Sequence, residues 1–145
     1  MTAEQAFSMV NLVALVAWLG LVFLPSYRFV RDVVAQVMVP ALLAIAYIVL
    51  IVQHFDPAGF ANFTTLAGLA SLQGNPWLLL AGWLHYLAFD LFVGAWEVRT
   101  ARAENIPHLV ILPSLLLTFM LGPAGLLLFL LTRAIMRRRL AAGSI

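Results

Sequence analysis

The chain has 145 residues, of which 64% are hydrophobic and 10% charged, a balance outside that of soluble domains and within that of integral membrane proteins. It contains no cysteine, and its eight basic residues are all arginine, which excludes thiolate nucleophiles, cysteine-held metals, disulfides and a side-chain Schiff base. The net charge of +2 comes from arginines flanking apolar runs rather than from a basic face interleaved with aromatics, so nucleic acid is not an expected partner.

The residues MTAEQ carry no basic side chain and no cleavage pattern, so the first apolar run, 7–24, is expected to be retained as a span rather than removed as a signal peptide. Asn11 is its strongly polar member and reads as an interhelical hydrogen-bond residue. Arg28, Arg31 and Asp32 then read as a short polar loop. A second span, 33–53, tolerates Pro40 with a kink and closes at His54, Asp56 and Pro57, with His54 at an interface.

In the stretch 58–72, Phe60, Phe63, Leu66 and Leu69 recur every three residues. Two readings stand for it, an amphipathic helix lying in the interface and a packed connecting loop; a fifth crossing by 58–74 is a third. Asn75-Pro76 supplies an N-cap and an N1 proline for a span over 76–97. Glu97, Arg99, Arg102, Glu104 and Asn105 read as a charged hairpin loop. In the last span, 107–132, Pro113 and Gly122-Pro123-Ala124-Gly125 predict a broken helix, followed by the basic tail Arg133, Arg137, Arg138 and Arg139.

The fold expected is all-α: a single transmembrane domain, 1–145, built as a four-helix bundle with a kinked fourth helix and an interfacial segment between helices 2 and 3. Four full crossings place both termini on one side. They also divide the arginines equally between the two faces, so the positive-inside rule gives no orientation.

The third span poses the functional question, because it carries His85, Asp90 and Glu97 at a depth where ionisable groups are costly and mark sites. At ~100° per residue, Trp83, Tyr86, Asp90 and Glu97 share one stripe, and His85, Phe89 and Phe92 another. On an antiparallel last helix, His108 falls near the level of Glu97, and Thr118 nearer that of Asp90. The histidines at 54, 85 and 108 thus lie at three depths, which argues against a metal site built from them, since ligand atoms must approach one ion to ~2.0–2.2 Å. A haem on His85 alone lacks a paired histidine, and no cofactor is expected. The midplane His and Asp read either as an acid/base pair for a bound molecule or as hydrogen-bond hubs between helices. The aromatics beside them could line a slot for a long apolar or conjugated molecule.

Trp83-x-His85 followed by Asp90-Leu91-Phe92, then His108, then Gly122-Pro123-x-Gly125, with Trp18 and Leu24-Pro25-x-Tyr27 upstream, resembles the abscisic-acid-deficient-four family of plastid membrane proteins required for neoxanthin formation, which has many bacterial relatives. The resemblance runs from Trp18 to Arg133. It implies a membrane protein acting on carotenoids or related isoprenoids, with His85, Asp90 and His108 as catalytic positions and Trp83, Tyr86, Phe89, Glu97 and Thr118 contacting substrate. A carotenoid isomerase or related carotenoid-modifying enzyme is the activity it implies. A non-catalytic carotenoid-binding protein that serves a partner enzyme is the alternative, and a small transporter a third. The arginine-only, proline-rich composition points to a multi-pass protein of a bacterial inner membrane, surrounded by lipid and open to homo-oligomerisation.

Overall fold

A computed structural model describes residues 1–142. The chain is all-α, with four helices long and apolar enough to cross a membrane and a short segment between the second and third of them. Thr2 opens α1 (Ala3–Phe23) through a reciprocal capping box with Gln5, which satisfies two end-of-helix donors at once. Asn75 accepts from the Trp77 amide at 2.9 Å and Pro76 occupies N1 of α4 (Pro76–Ala103), as the sequence predicts.

The second long helix, α2 (Phe29–His54), starts earlier than expected, and Arg28, Arg31 and Asp32 do not form a loop. Its first part, Phe29–Met38, is wound as a π-helix. This rare winding ends just before Pro40, whose ring and missing N–H disturb the preceding turn. The buried Arg31 makes a two-pronged bond to its neighbour Asp32 (2.6 and 2.7 Å) and donates to the Pro25 carbonyl at 3.2 Å. That last bond serves backbone freed where α1 stops.

Between α2 and α4 lie a 3₁₀ segment, Pro57–Thr64, and a short helix, α3 (Leu66–Leu72), capped by Thr65. The stretch is thus neither one continuous amphipathic helix nor a loop: it is broken in two at Thr65, where an extended residue accepts from the Gly68 amide. Phe60 and Phe63 pack on Phe55 at the end of α2.

The helix α4 also outruns its expected end. Glu97, Arg99 and Arg102 are helical, and the connection to α5 (His108–Ala142) is short. Asn105 has φ 56°, the left-handed position that Asn tolerates better than most residues. The amides of Asn105 and Ile106 return to the carbonyls of Arg102 and Ala101, closing a Schellman turn.

The predicted break in α5 is present at Leu121 (φ −144°, ψ 49°), just before Gly122 and Pro123, and it reverses the chain. Arg133 reaches back to Glu104, its Nε 2.9 and 3.0 Å from the two carboxylate oxygens, and Phe129 meets Trp96 edge-on at 5.4 Å. A straight helix would put Arg133 ~37 Å from the start of α5. Residues 108–120 instead run inward ~20 Å and the remainder returns beside them. The two arms meet at Gly125, where a side chain would overlap the Thr118 backbone. Four straight crossings would carry the tail arginines away from the α4–α5 turn; Arg133 and Arg137 lie against it. The Arg139 side chain lies outside the described residues.

The core runs along α4. Trp18, Leu21, Ala35, Leu91, Ala95, Val98, Ile111, Leu115 and Phe129 form one buried cluster, and Ala14, Leu43, Leu80, Leu84 and Leu87 a second. Gly94 makes the first possible, because a Cβ there would strike the Trp18 indole.

Candidate functional site

A cavity of about 770 Å³ opens at the end of the molecule away from the arginines, within the size range of small-molecule pockets. Its walls come from the start of α1, the end of α2, α3 and the first turns of α4, with Phe7, Tyr47, Phe63, Trp83, His85 and Tyr86 among them. Placement is fixed by polar and ring contacts. Trp83 Nε1 donates to Asn11 Oδ1 at 2.8 Å, the interhelical bond expected of Asn11, and its indole stacks on Tyr86 at 5.0 Å. His85 sits between Tyr47 (6.0 Å) and Phe89 (4.7 Å). Outside this cavity, His54 stacks on Trp77 at 5.2 Å, and its Nδ1 lies 3.1 Å from the Leu50 carbonyl.

A second, more polar group lies on the neighbouring face of α4, against the reversal of α5. The Tyr86 hydroxyl donates to the Phe119 carbonyl at 3.1 Å, in the last turn before the break, on the side of α4 that also carries the Asp90 carboxyl one turn on. That carboxyl packs on Gly122 so closely that a Cβ there would overlap it. Two turns along, Glu97 is fully buried, and Thr118 donates to its Oε1 at 2.9 Å. Asp90 Oδ2 and Glu97 Oε2 are buried without a hydrogen-bond partner. Trp18 packs on Gly94, which lies between the two acids along α4. A carboxyl that carries a proton can donate to the Tyr86 oxygen while Tyr86 donates onward, because a phenol is both donor and acceptor.

The site residues named from sequence therefore divide. Trp83, His85, Tyr86 and Phe89 cluster at or beside the cavity; Tyr86 and Asp90 meet the α5 reversal, and Glu97 pairs with Thr118. Glu97 is enclosed rather than near an interface, because α4 continues beyond it to Ala103 and α5 covers it. His108 lies elsewhere, at the arginine-bearing end, where its Nε2 is 2.9 Å from the Val22 carbonyl and its Nδ1 is buried without a partner. A carbonyl only accepts, so Nε2 carries the proton and caps α1. Tyr47 and Phe119 were not among the positions singled out. Tyr47 reaches the cavity from α2, a placement that only the packing of α2 on α4 reveals, and the role of Phe119 is carried by its backbone oxygen, which no side-chain pattern reveals.

At the charged end, Asp32 collects Arg31, Arg99 at 3.7 Å and Arg28 at 3.9 Å. Glu104 collects Arg133 and Arg137. The hydrogen bond from Arg133, aided by the charges of Arg133 and Arg137, holds the Glu104 carboxyl below the usual carboxylate range.

Four helices of this length and hydropathy define a multi-pass integral membrane protein. The ABA DEFICIENT 4-like family profile matches residues 5–129, and the chain belongs to that family, which is associated with neoxanthin synthesis. No curated protein and no solved structure matches it.

Proposed function

We propose that this protein binds a carotenoid or related isoprenoid polyene in the aromatic cavity and modifies it by acid/base chemistry, isomerisation being the simplest case. The observation that carries the reading is the double position of Tyr86, which lines the cavity and whose hydroxyl donates to the Phe119 carbonyl at the α5 reversal, where the Asp90 carboxyl packs on Gly122. Asp90 has no direct face on the cavity, and Tyr86 gives it one.

In such a step a proton passes from Asp90 through the Tyr86 hydroxyl to one carbon of a polyene double bond, leaving an allylic cation. His85 removes a proton from the carbon on the far side of the cationic centre, after which the proton returns from His85 to Asp90 through water. The bond order shifts by one position and the atom count is unchanged. Proton transfer by positioned groups contributes typically ~10²–10⁴-fold, and the faces of Trp83, Tyr47 and Tyr86 would stabilise the intervening allylic cation. Glu97 and Thr118 shape the floor behind this relay, and His108 is outside it.

The test is the absorption spectrum and solvent-extract chromatogram of detergent-purified protein made with and without a carotenoid-producing pathway. A co-purified polyene whose isomer or product peak disappears in Asp90→Asn supports the proposal. Pigment bound with unchanged chemistry in the wild type would instead make this a binding or accessory protein. No chromophore in either background would remove the carotenoid reading.

A further inference from the structure

We infer that α5 enters the membrane and leaves it on the same face, so that the chain crosses three times, with every arginine at the cytoplasmic face and the cavity mouth on the opposite, exoplasmic side. This goes beyond the reading of the cavity contents and does not depend on it.

The placement begins with the α5 reversal. Because Leu121 turns the chain and Arg133 pairs with Glu104, both ends of α5 lie beside the α4–α5 turn. The same end holds the α1–α2 connection, since Arg99 of α4 reaches Asp32 and Arg102 Nη1 lies 3.4 Å from Ser26 Oγ. Arg28, Arg31, Arg99, Arg102, Arg133 and Arg137 are thereby gathered at one end by their contacts; Arg138 and Arg139 follow in sequence.

The other end holds Glu4, His54, Asp56 and Gln73, with no basic residue near the helix ends apart from the N-terminus. Four straight crossings would have split the arginines evenly; the reversal turns an even split into a one-sided one. Arginine close to the ends of membrane helices is retained on the cytoplasmic side, and the count within ~15–20 residues of those ends sets orientation.

Irregular backbone at membrane depth requires partners other than lipid. Those partners are present, because Tyr86 takes the Phe119 carbonyl and Gly122 lies against Asp90. The cavity occupies the exoplasmic half, from Glu4, Phe55 and Gln73 down to Tyr86, whose hydroxyl reaches the Phe119 carbonyl at the α5 reversal.

The chain has no cysteine, so single cysteines report position without background. Glu4→Cys, Gln73→Cys, Ser26→Cys, Ala103→Cys and Arg138→Cys would each be expressed in full-length protein in a bacterial host and treated with a membrane-impermeant maleimide, before and after permeabilisation. The expected result is labelling of the first two in intact cells and of the last three only after permeabilisation. Labelling of Arg138→Cys from the same side as Gln73→Cys would overturn the re-entrant α5, and labelling of Ala103→Cys in intact cells would overturn the orientation. Should a cysteine variant fail to accumulate, fusions of a fluorescent protein that folds only in the cytoplasm read the same prediction: a fluorescent C-terminal fusion with a dark, inserted N-terminal fusion supports it, and two fluorescent fusions or a dark C-terminal one overturn it.

Discussion

Glu104 and Arg133 stand 29 residues apart in sequence and form a two-pronged ion pair at the mouth of the α4–α5 turn. The pair ties the end of the returning arm of α5 to the turn from which α5 starts. Both side chains are partly exposed (22% and 28%), so its net worth falls in the range of surface pairs, ~0.2–1 kcal/mol. Its structural importance is that of a latch on a long lever.

Its pH dependence has a definite sign. Arg133 lowers the Glu104 pKa in the folded state, so the contribution is complete above the unfolded value of ~4.3 and is lost as pH falls through the lower folded value. Thermal unfolding in detergent should show wild type above Glu104→Gln at neutral pH and the difference shrinking below pH ~4. A difference that instead grows on acidification would contradict the pairing.

Close approach at the α5 reversal predicts intolerance of side chains there. Gly125→Leu would drive atoms into the Thr118 backbone, and Gly122→Ala into the Asp90 carboxyl. Overpacking of this kind costs ~1–3 kcal/mol. Lower melting temperatures in both variants are expected, with Gly82→Ala as control, since a Cβ at Gly82 meets nothing within 4 Å.

The Trp83–Asn11 bond joins α1 to the cavity wall. Asn11→Leu should lower stability by only ~0.6 kcal/mol, the mean for interhelical bonds in membranes, yet free the indole. Quenching of Trp fluorescence by a cavity ligand should weaken, and an unchanged profile would mean that Trp83 is held by its ring contacts with Phe7 and Tyr86 alone.

If Tyr86 relays between Asp90 and the cavity, Tyr86→Phe should retain pigment and lose turnover, because the ring stays and the hydroxyl goes. Glu97→Gln keeps an acceptor for Thr118 and should leave both intact. Equal turnover in Tyr86→Phe and wild type would exclude the relay.

The sequence made much of this visible. Apolar run length reported the long helices, and Asn75-Pro76 marked the start of α4 because capping is local chemistry. Gly122-Pro123 marked a break for the same reason. The size of the break was not legible, since it depends on Gly125 admitting a second arm and on Glu104 catching Arg133 across the fold. The ends of α2 and α4 were misread through their charges: Arg31–Asp32 and Arg99 satisfy one another on helical surfaces, so polarity there did not mean loop. The stripe assignment separated His85 from Asp90 correctly, and only the fold could show Tyr86 standing between them.

The reversal of α5 also leaves a gap in the protein. Beyond Met120 and Leu121, which are 69% and 60% exposed, no helix continues, so on the inferred topology the exoplasmic half is thinner by one helix than the cytoplasmic half. Membrane lipid must fill that space. A molecule dissolved among the acyl chains can therefore drift sideways to the level of Asp90 without entering water, and the membrane itself becomes the antechamber of the site.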